Sequence, residues 1–233
     1  MKFYQTKTYN EDVKTALNRI VNIDHLNGAN ILITGATGTI GSFITDVLLK
    51  YAQNTNLKVY VAGRNIVNLH ERFPNAIPLE YDLNRTITFS DNFQYIIHAA
   101  GNAHPAAFVT DPVGTIVGNI ESTLNLLDYL KNHHGNRFVY ISSGEVYGQG
   151  NPSVNTFDES YSGYVDNLNS RFCYPISKRA TENLCASYSK QYGIETIIVR
   201  PCHTYGPNIT PSDNRAHAQF FRSALNNEKI AFI

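Results

Sequence analysis

The chain has 233 residues, 42% of them hydrophobic, and 19 basic against 19 acidic side chains. That is enough for one α/β domain with a sizeable core and a small appendage, and it excludes global disorder. Balanced charge gives no electrostatic reason to expect nucleic acid or an anionic membrane as partner, and no apolar run approaches the ~20 residues of a membrane span.

The first residues, Met1-Lys2-Phe3-Tyr4-Gln5, lack the apolar stretch of a signal peptide. Cys173, Cys185 and Cys202 have neither disulfide nor metal spacing, so reduced thiols in the cytoplasm are expected. In chain order, residues 9–25 read as an amphipathic helix with Val13, Leu17, Ile20 and Val21 on one face, broken by Asn27-Gly28. Strand-like and helix-like segments then alternate. Strands are expected at Ile31–Ile33, Lys58–Ala62, Ile77–Tyr81, Tyr95–Ala99, Phe138–Ser142 and Glu195–Val199. Helices are expected at 39–52, at 112–132 behind the cap and first-turn pair Asp111-Pro112, and at 173–192. Apolar strands in such alternation imply a parallel, doubly wound Rossmann-type sheet with helices on both faces, and ligands beyond the strands' carboxyl ends.

The first strand runs into Thr34-Gly35-Ala36-Thr37-Gly38-Thr39-Ile40-Gly41. Gly35 permits a tight turn, Gly38 lets backbone approach a pyrophosphate, and Gly41 lets the helix pack close. Thr37, Thr39 and Ile40 complete a loop whose helix N-terminus offers free N–H groups to phosphate. A merely tight turn is the plain alternative, but the position between strand and helix favours a dinucleotide. The second strand ends Val61-Ala62-Gly63-Arg64-Asn65, without the acid that would hold a ribose 2′-hydroxyl and select NAD. Arg64 is either a partner for the 2′-phosphate of NADP or an ordinary solvent-facing arginine. Asp82-Leu83 suits an edge contact to adenine.

Tyr174-Pro175-Ile176-Ser177-Lys178 puts Tyr and Lys on one helix face. A phenol near pKa 10 is a poor base at neutral pH; an adjacent ammonium would lower it. Pro175 then requires Tyr174 to lie near the helix start. The bland reading of the pair is a surface contact. Ser143, in Ser142-Ser143-Gly144-Glu145-Val146-Tyr147-Gly148 after a buried strand, is either a donor to a substrate oxygen or part of a serine-rich turn. The histidines and cysteines show no zinc spacing, so no metal is expected.

Taken together, from residue 29 onward, these segments resemble the extended short-chain dehydrogenase/reductases of the NAD-dependent epimerase/dehydratase family. The resemblance rests on the glycine loop, Ile97-His98-Ala99-Ala100-Gly101, the serine segment, Tyr174 with Lys178, and Arg200-Pro201-Cys202-His203-Thr204-Tyr205-Gly206-Pro207. Within the family, Ala103-His104-Pro105, Ser143–Gly148 and Asp213-Asn214-Arg215 are similar to UDP-glucuronate decarboxylases.

The resemblance implies bound NAD (NADP if Arg64 takes the phosphate) and a nucleotide-sugar substrate oxidised at its 4-hydroxyl. It makes Tyr174 the base, Lys178 its partner and ribose contact, Ser143 the hydroxyl donor and Glu145 the residue nearest the sugar 5-position. Ala99, Ala100 and Gly101 would border the cofactor, and His104, His203 and Arg215 the substrate. Gly144 stands where dehydratases carry an acid, which argues against dehydration. His203 stands where the family has asparagine, which puts that substrate contact in doubt. A nucleotide-sugar 4-epimerase is the alternative enzyme, and a catalytically inactive NAD(P)-binding sensor or scaffold the alternative of another class. The organisation expected is an N-terminal helical extension over 1–28, a dinucleotide-binding domain over 29–200, and over 201–233 the start of a substrate lobe that breaks off inside a strand. A homodimer is expected through the helices 112–132 and 173–192, with Leu124, Leu127, Leu184 and Ala186 at the contact.

Overall fold

The computed structural model describes residues 2–230 apart from 86, 104, 154, 210–212 and 214. Six strands, β1 (Asn30–Thr34), β2 (Lys58–Gly63), β3 (Ile77–Glu80), β4 (Tyr95–His98), β5 (Arg137–Ile141) and β6 (Glu195–Val199), form one sheet in the order β3-β2-β1-β4-β5-β6. Every pairing is parallel, with Thr34 opposite both Ala62 and His98. The chain winds outward from β1 to β3 and then crosses back to β4. This reversal leaves a crevice beyond the carboxyl ends of β1 and β4, the place where open α/β sheets bind ligands.

The strands' alternation decides which helices cover which face. Leu32, Tyr60, Ile96 and Phe138 point to one side, where they meet Leu126, Leu127 and Leu130 of α5 (Pro112–Asn132) and Cys185 and Tyr188 of α6 (Cys173–Tyr192). Ile31, Ile33, Val59 and Val61 point to the other, against Leu48 of α2 (Thr39–Ala52) and Leu69 of α3 (Ile66–Arg72). Each such side chain, taken fully from water, contributes about 1.5–3 kcal/mol.

The N-terminal helix is shorter than its hydrophobic period predicts. α1 spans Lys7–Arg19, starting at Thr6, whose side chain accepts from the Tyr9 N–H, and stopping before Ile20 and Val21, which are exposed. The stop is conformational: Ile20 is extended and Asn22 is left-handed at φ 57°. Tyr9 and Val13 pack on Val47 of α2, and the Tyr9 hydroxyl donates to Asp46 at 2.6 Å.

Leu127 is fully buried in the chain's own core, so it cannot lie at a subunit contact. Leu124 and Leu184 pack partly against the same core, while Ala186 is exposed. The strand expected at the end of the chain is not seen at Ile230, and residues 231–233 lie outside the described residues. Three helices were not anticipated, α3, α4 (Pro105–Thr110) and α7 (Ala216–Leu225). Among the described residues no helix is long and apolar enough to cross a membrane.

Candidate active site

At the crevice, β1 delivers the glycine loop. Gly35 sits at φ 69°, and a Cβ there would lie 2.6 Å from the Ala99 carbonyl and the Ala100 nitrogen, so only glycine allows the turn to pass the end of β4. A Cβ at Gly41 would collide with the Gly35 carbonyl, so the bare helix face is what lets α2 start so close to the strand. The Thr34 hydroxyl links the two strand ends: it lies 2.7 Å from His98 Nδ1 and accepts from the Ala100 N–H at 3.3 Å.

A cleft of about 520 Å3 opens above these elements. Gly35, Thr37, Gly38, Arg64, Asp82, Leu83, Ala99, Ala100 and Gly101 all line it. Thr39 and Ile40 do not; they border a second, smaller cavity beside Phe3 and Tyr9. Sequence reasoning overlooked Asn84, Asn102, Asp111, Gly114 and Gly118 on the cleft wall. A signal for the last two was present: small residues recur one turn apart at the start of α5, where Asp111 caps the helix by accepting from the Gly114 N–H at 2.9 Å. The cleft fits a dinucleotide. Its volume lies in the range of small-molecule sites, the glycines that precede the N-terminus of α2 line it, and so do Arg64 and Asp82.

Ser143, Tyr174 and Lys178 do not line this cleft; Lys178 comes nearest, its Nζ 3.8 Å from where a Cβ at Gly101 would lie. α6 begins at Cys173, which puts Tyr174 and Pro175 in its first turn and removes the conflict a mid-helix proline would create. Tyr174 is buried and its ring stacks on Phe108 of α4, with centroids 4.6 Å apart and planes 13° apart. Burial pushes its phenol above the ordinary value, Glu145 adds to that, and the Ser143 hydroxyl beside it pulls the other way. The lowering expected from Lys178 is not the governing influence. That ammonium donates to the Ile141 carbonyl at 2.8 Å and lies 4.5 Å from the centre of the Tyr140 ring, against 5.7 Å from that of Tyr174. Lys178 is itself buried, which lowers it to about 7, with Glu182 opposing the drop.

Ser143 caps the short 3₁₀ turn Gly144–Tyr147 by accepting from the Glu145 N–H at 3.2 Å. Glu145 is open to solvent on one side, yet partial desolvation raises its carboxyl against the attraction of Arg171 and His203. Arg215 is close enough to Tyr174 to act on it electrostatically while paired with buried Asp213 at 2.6 Å. His104 lies outside the described residues. Asn119, unremarked in the sequence, is buried beside Gly101 and donates to Ser177 at 2.9 Å.

The model of the NAD dependent epimerase/dehydratase family matches residues 31–233. The chain belongs to that family. UDP-glucuronic acid decarboxylase 6 of Arabidopsis thaliana is 34% identical over 206 residues, which are 86% of this chain and 58% of the relative. UDP-glucuronic acid decarboxylase 1 of Xenopus tropicalis is 33% identical over 212 residues, 86% of this chain and 47% of the relative. The chain thus spans about half the length of the curated relatives it matches. Among solved structures, UDP-glucose 4-epimerase of Thermotoga maritima, determined with UDP-glucose, superimposes with a TM-score of 0.73 at 25% identity, over 86% of this chain and 64% of that one. The Thermus thermophilus UDP-glucose 4-epimerase, determined with NAD, gives 0.71 at 25% identity over the same shares.

Proposed function

We propose that the protein binds NAD in the cleft above β1 and β4 and uses it to oxidise the 4-hydroxyl of a nucleotide sugar, with UDP-glucuronate decarboxylation as the overall reaction. The observation that carries this reading is the gathering of Ser143, Tyr174 and Lys178 at the carboxyl end of β5, beside a dinucleotide-sized cleft. NAD, when bound, supplies the hydride acceptor and a positive ring charge. In this reading Tyr174 takes the 4-hydroxyl proton, Ser143 donates to the same oxygen and orients it, and Lys178 holds the ribose and favours the phenolate. Glu145, whose carboxyl is held up by desolvation, stands on the side of the sugar 5-position. His203, His104 and Arg215 are assigned to the sugar nucleotide, with Arg215 toward the diphosphate.

Residues 29–200 serve as the dinucleotide-binding part and 201–233 belong to the substrate lobe, with 1–28 a helical segment packed on the first. The protein works as a homodimer through the outer faces of α5 and α6, where Val113, Val117 and Ala186 are exposed. Sedimentation as a monomer at micromolar concentration rejects that part alone.

Decarboxylation and 4-epimerisation share the oxidation step, and the likeness to the two 4-epimerase structures keeps the second in view. Mass spectrometry of the products from UDP-glucuronate, UDP-glucose and UDP-GlcNAc separates them. Loss of carbon dioxide from UDP-glucuronate is expected. An isomer of unchanged mass assigns an epimerase, and NAD binding without any product assigns a sensor.

A further inference from the structure

The end of β5 and one face of α6 are interlocked residue by residue. The Ile141 carbonyl accepts from Lys178 at 2.8 Å, the Ser142 hydroxyl donates to Glu182 at 2.6 Å, and Ser143 faces Tyr174. Tyr174, Lys178 and Glu182 are spaced four apart, so they stand above one another on the helix. Glu182 is buried, and Arg200, just past the end of β6, grips its carboxylate with two hydrogen bonds of 2.9 and 2.7 Å. The Arg200 guanidinium in turn lies 5.0 Å from the centre of the Tyr147 ring and donates to the Glu159 carbonyl at 2.8 Å.

From this arrangement we infer that Glu182 is a positioning residue for Lys178: held by Ser142 and Arg200, its carboxylate keeps the neighbouring amine charged and seated on the strand that carries Ser143. The inference rests on the reading above that Lys178 serves Tyr174 and the cofactor. Lys178 needs such help. It is buried among Tyr140 of β5, Tyr174 and Cys185 of its own helix and His98 of β4; burial pushes both phenols up, the thiol up to about 12 and the imidazole down, so all four are neutral at pH 7. Glu182, four residues on and bonded to Ser142 next to the carbonyl that Lys178 holds, is the carboxylate whose charge opposes that burial. Without it the midpoint drops below neutral pH, and little of the amine stays charged to stabilise a phenolate. Arg200 keeps the carboxylate ionised and aimed, although its own charge partly offsets the benefit.

The test is a pH titration of Lys178 by NMR on 13Cε-lysine-labelled protein, with the signal assigned by its loss in Lys178→Arg. In Glu182→Gln the Lys178 midpoint falls by about one unit or more. Removing one member of a buried pair can unfold a protein, so the double variant Glu182→Leu/Arg200→Met is read beside it; replacing both members by apolar residues is commonly neutral for stability. It also lowers the midpoint. A purely structural role for the pair loosens the site, admits water and moves the midpoint up toward 10.5 in both variants. An upward or absent shift in the double variant overturns the inference. The readout needs no cofactor: if the midpoint falls as expected while the parent protein binds no NAD by calorimetry, the functional reading fails and the role of Glu182 stands.

Discussion

Phe108 and Tyr174 lie face to face, 4.6 Å between ring centroids, with the short helix α4 acting as a cover for the phenol. Phe108 is fully buried, and its backbone carbonyl also faces the Cys173 thiol. Phe108→Ala therefore leaves a cavity against Tyr174, and the expected cost is about 3–5 kcal/mol, measured by urea denaturation. Because burial is what raises the Tyr174 phenol, water entering that cavity lowers its titration midpoint. The midpoint is read as the ultraviolet difference between Phe108→Ala and the same variant carrying Tyr174→Phe. An unchanged midpoint would show that Phe108 does not shield the phenol.

His98 gives the fold a pH dependence of definite sign. It is buried between Thr34 and Ser122, and burial lowers it from 6.5 to about 3, with the Lys178 charge contributing. Between those values the unfolded chain binds the proton and the folded chain does not. Stability is therefore lost as pH falls through that window, at up to about 1.4 kcal/mol per pH unit. His98→Gln removes the titration while keeping a donor and an acceptor. Urea midpoints from pH 6.5 down to 4 should fall less steeply in this variant than in the parent; equal slopes would mean His98 is not protected from protonation.

Arg64 sits on the cleft wall after β2, the strand that would carry a ribose-binding acid. As the 2′-phosphate partner it confers NADP binding that Arg64→Ala loses by about tenfold or more, the usual worth of a hydrogen bond to a charged group. NAD binding stays within about threefold of the parent, since a 2′-hydroxyl gives the guanidinium little to hold. Calorimetry with both dinucleotides reads this directly, and equal losses for the two would assign Arg64 to the shared part of the molecule.

The elements that sequence made legible are those whose local signals agree. The strands are short apolar runs, α5 has Asp111-Pro112 at its start, and the glycine loop lies between strand and helix, so the sheet and its cleft followed from pattern alone. Where one signal stood alone it misled. Ile20 and Val21 continue the hydrophobic period of α1, yet the left-handed backbone at Asn22 ends that run, and period carries no stop. α3 went unread although Asn65 caps it by accepting from the Asn68 N–H at 2.9 Å. α4 is too short to display a period, so Phe108 gave no hint of its contact with Tyr174. Glu182 drew no attention, and Arg200 only as the start of the family segment, because the strand end that brings the two together is formed by distant segments.

The chemistry makes its own ordered prediction. Tyr174→Phe deletes only the phenol oxygen and preserves the stack on Phe108, so NAD affinity should change little while sugar oxidation falls by at least the ~10²–10⁴ typical of general acid–base help. Lys178→Ala removes the ammonium that holds the Ile141 carbonyl as well as the group assigned to the ribose, and it should reduce both oxidation and NAD affinity. Ser143→Ala should cost least: the Glu145 N–H it leaves behind lies at an exposed turn, where water replaces the lost partner. The readout is NADH formed in a single turnover with the preferred nucleotide sugar, beside calorimetric NAD affinity for each variant. The order Tyr174→Phe and Lys178→Ala well below Ser143→Ala, with affinity lost only in Lys178→Ala, is what the arrangement at β5 and α6 requires. Oxidation at near the parent rate in Tyr174→Phe would remove Tyr174 as the base, and with it the reading of this cleft as a site of hydroxyl oxidation.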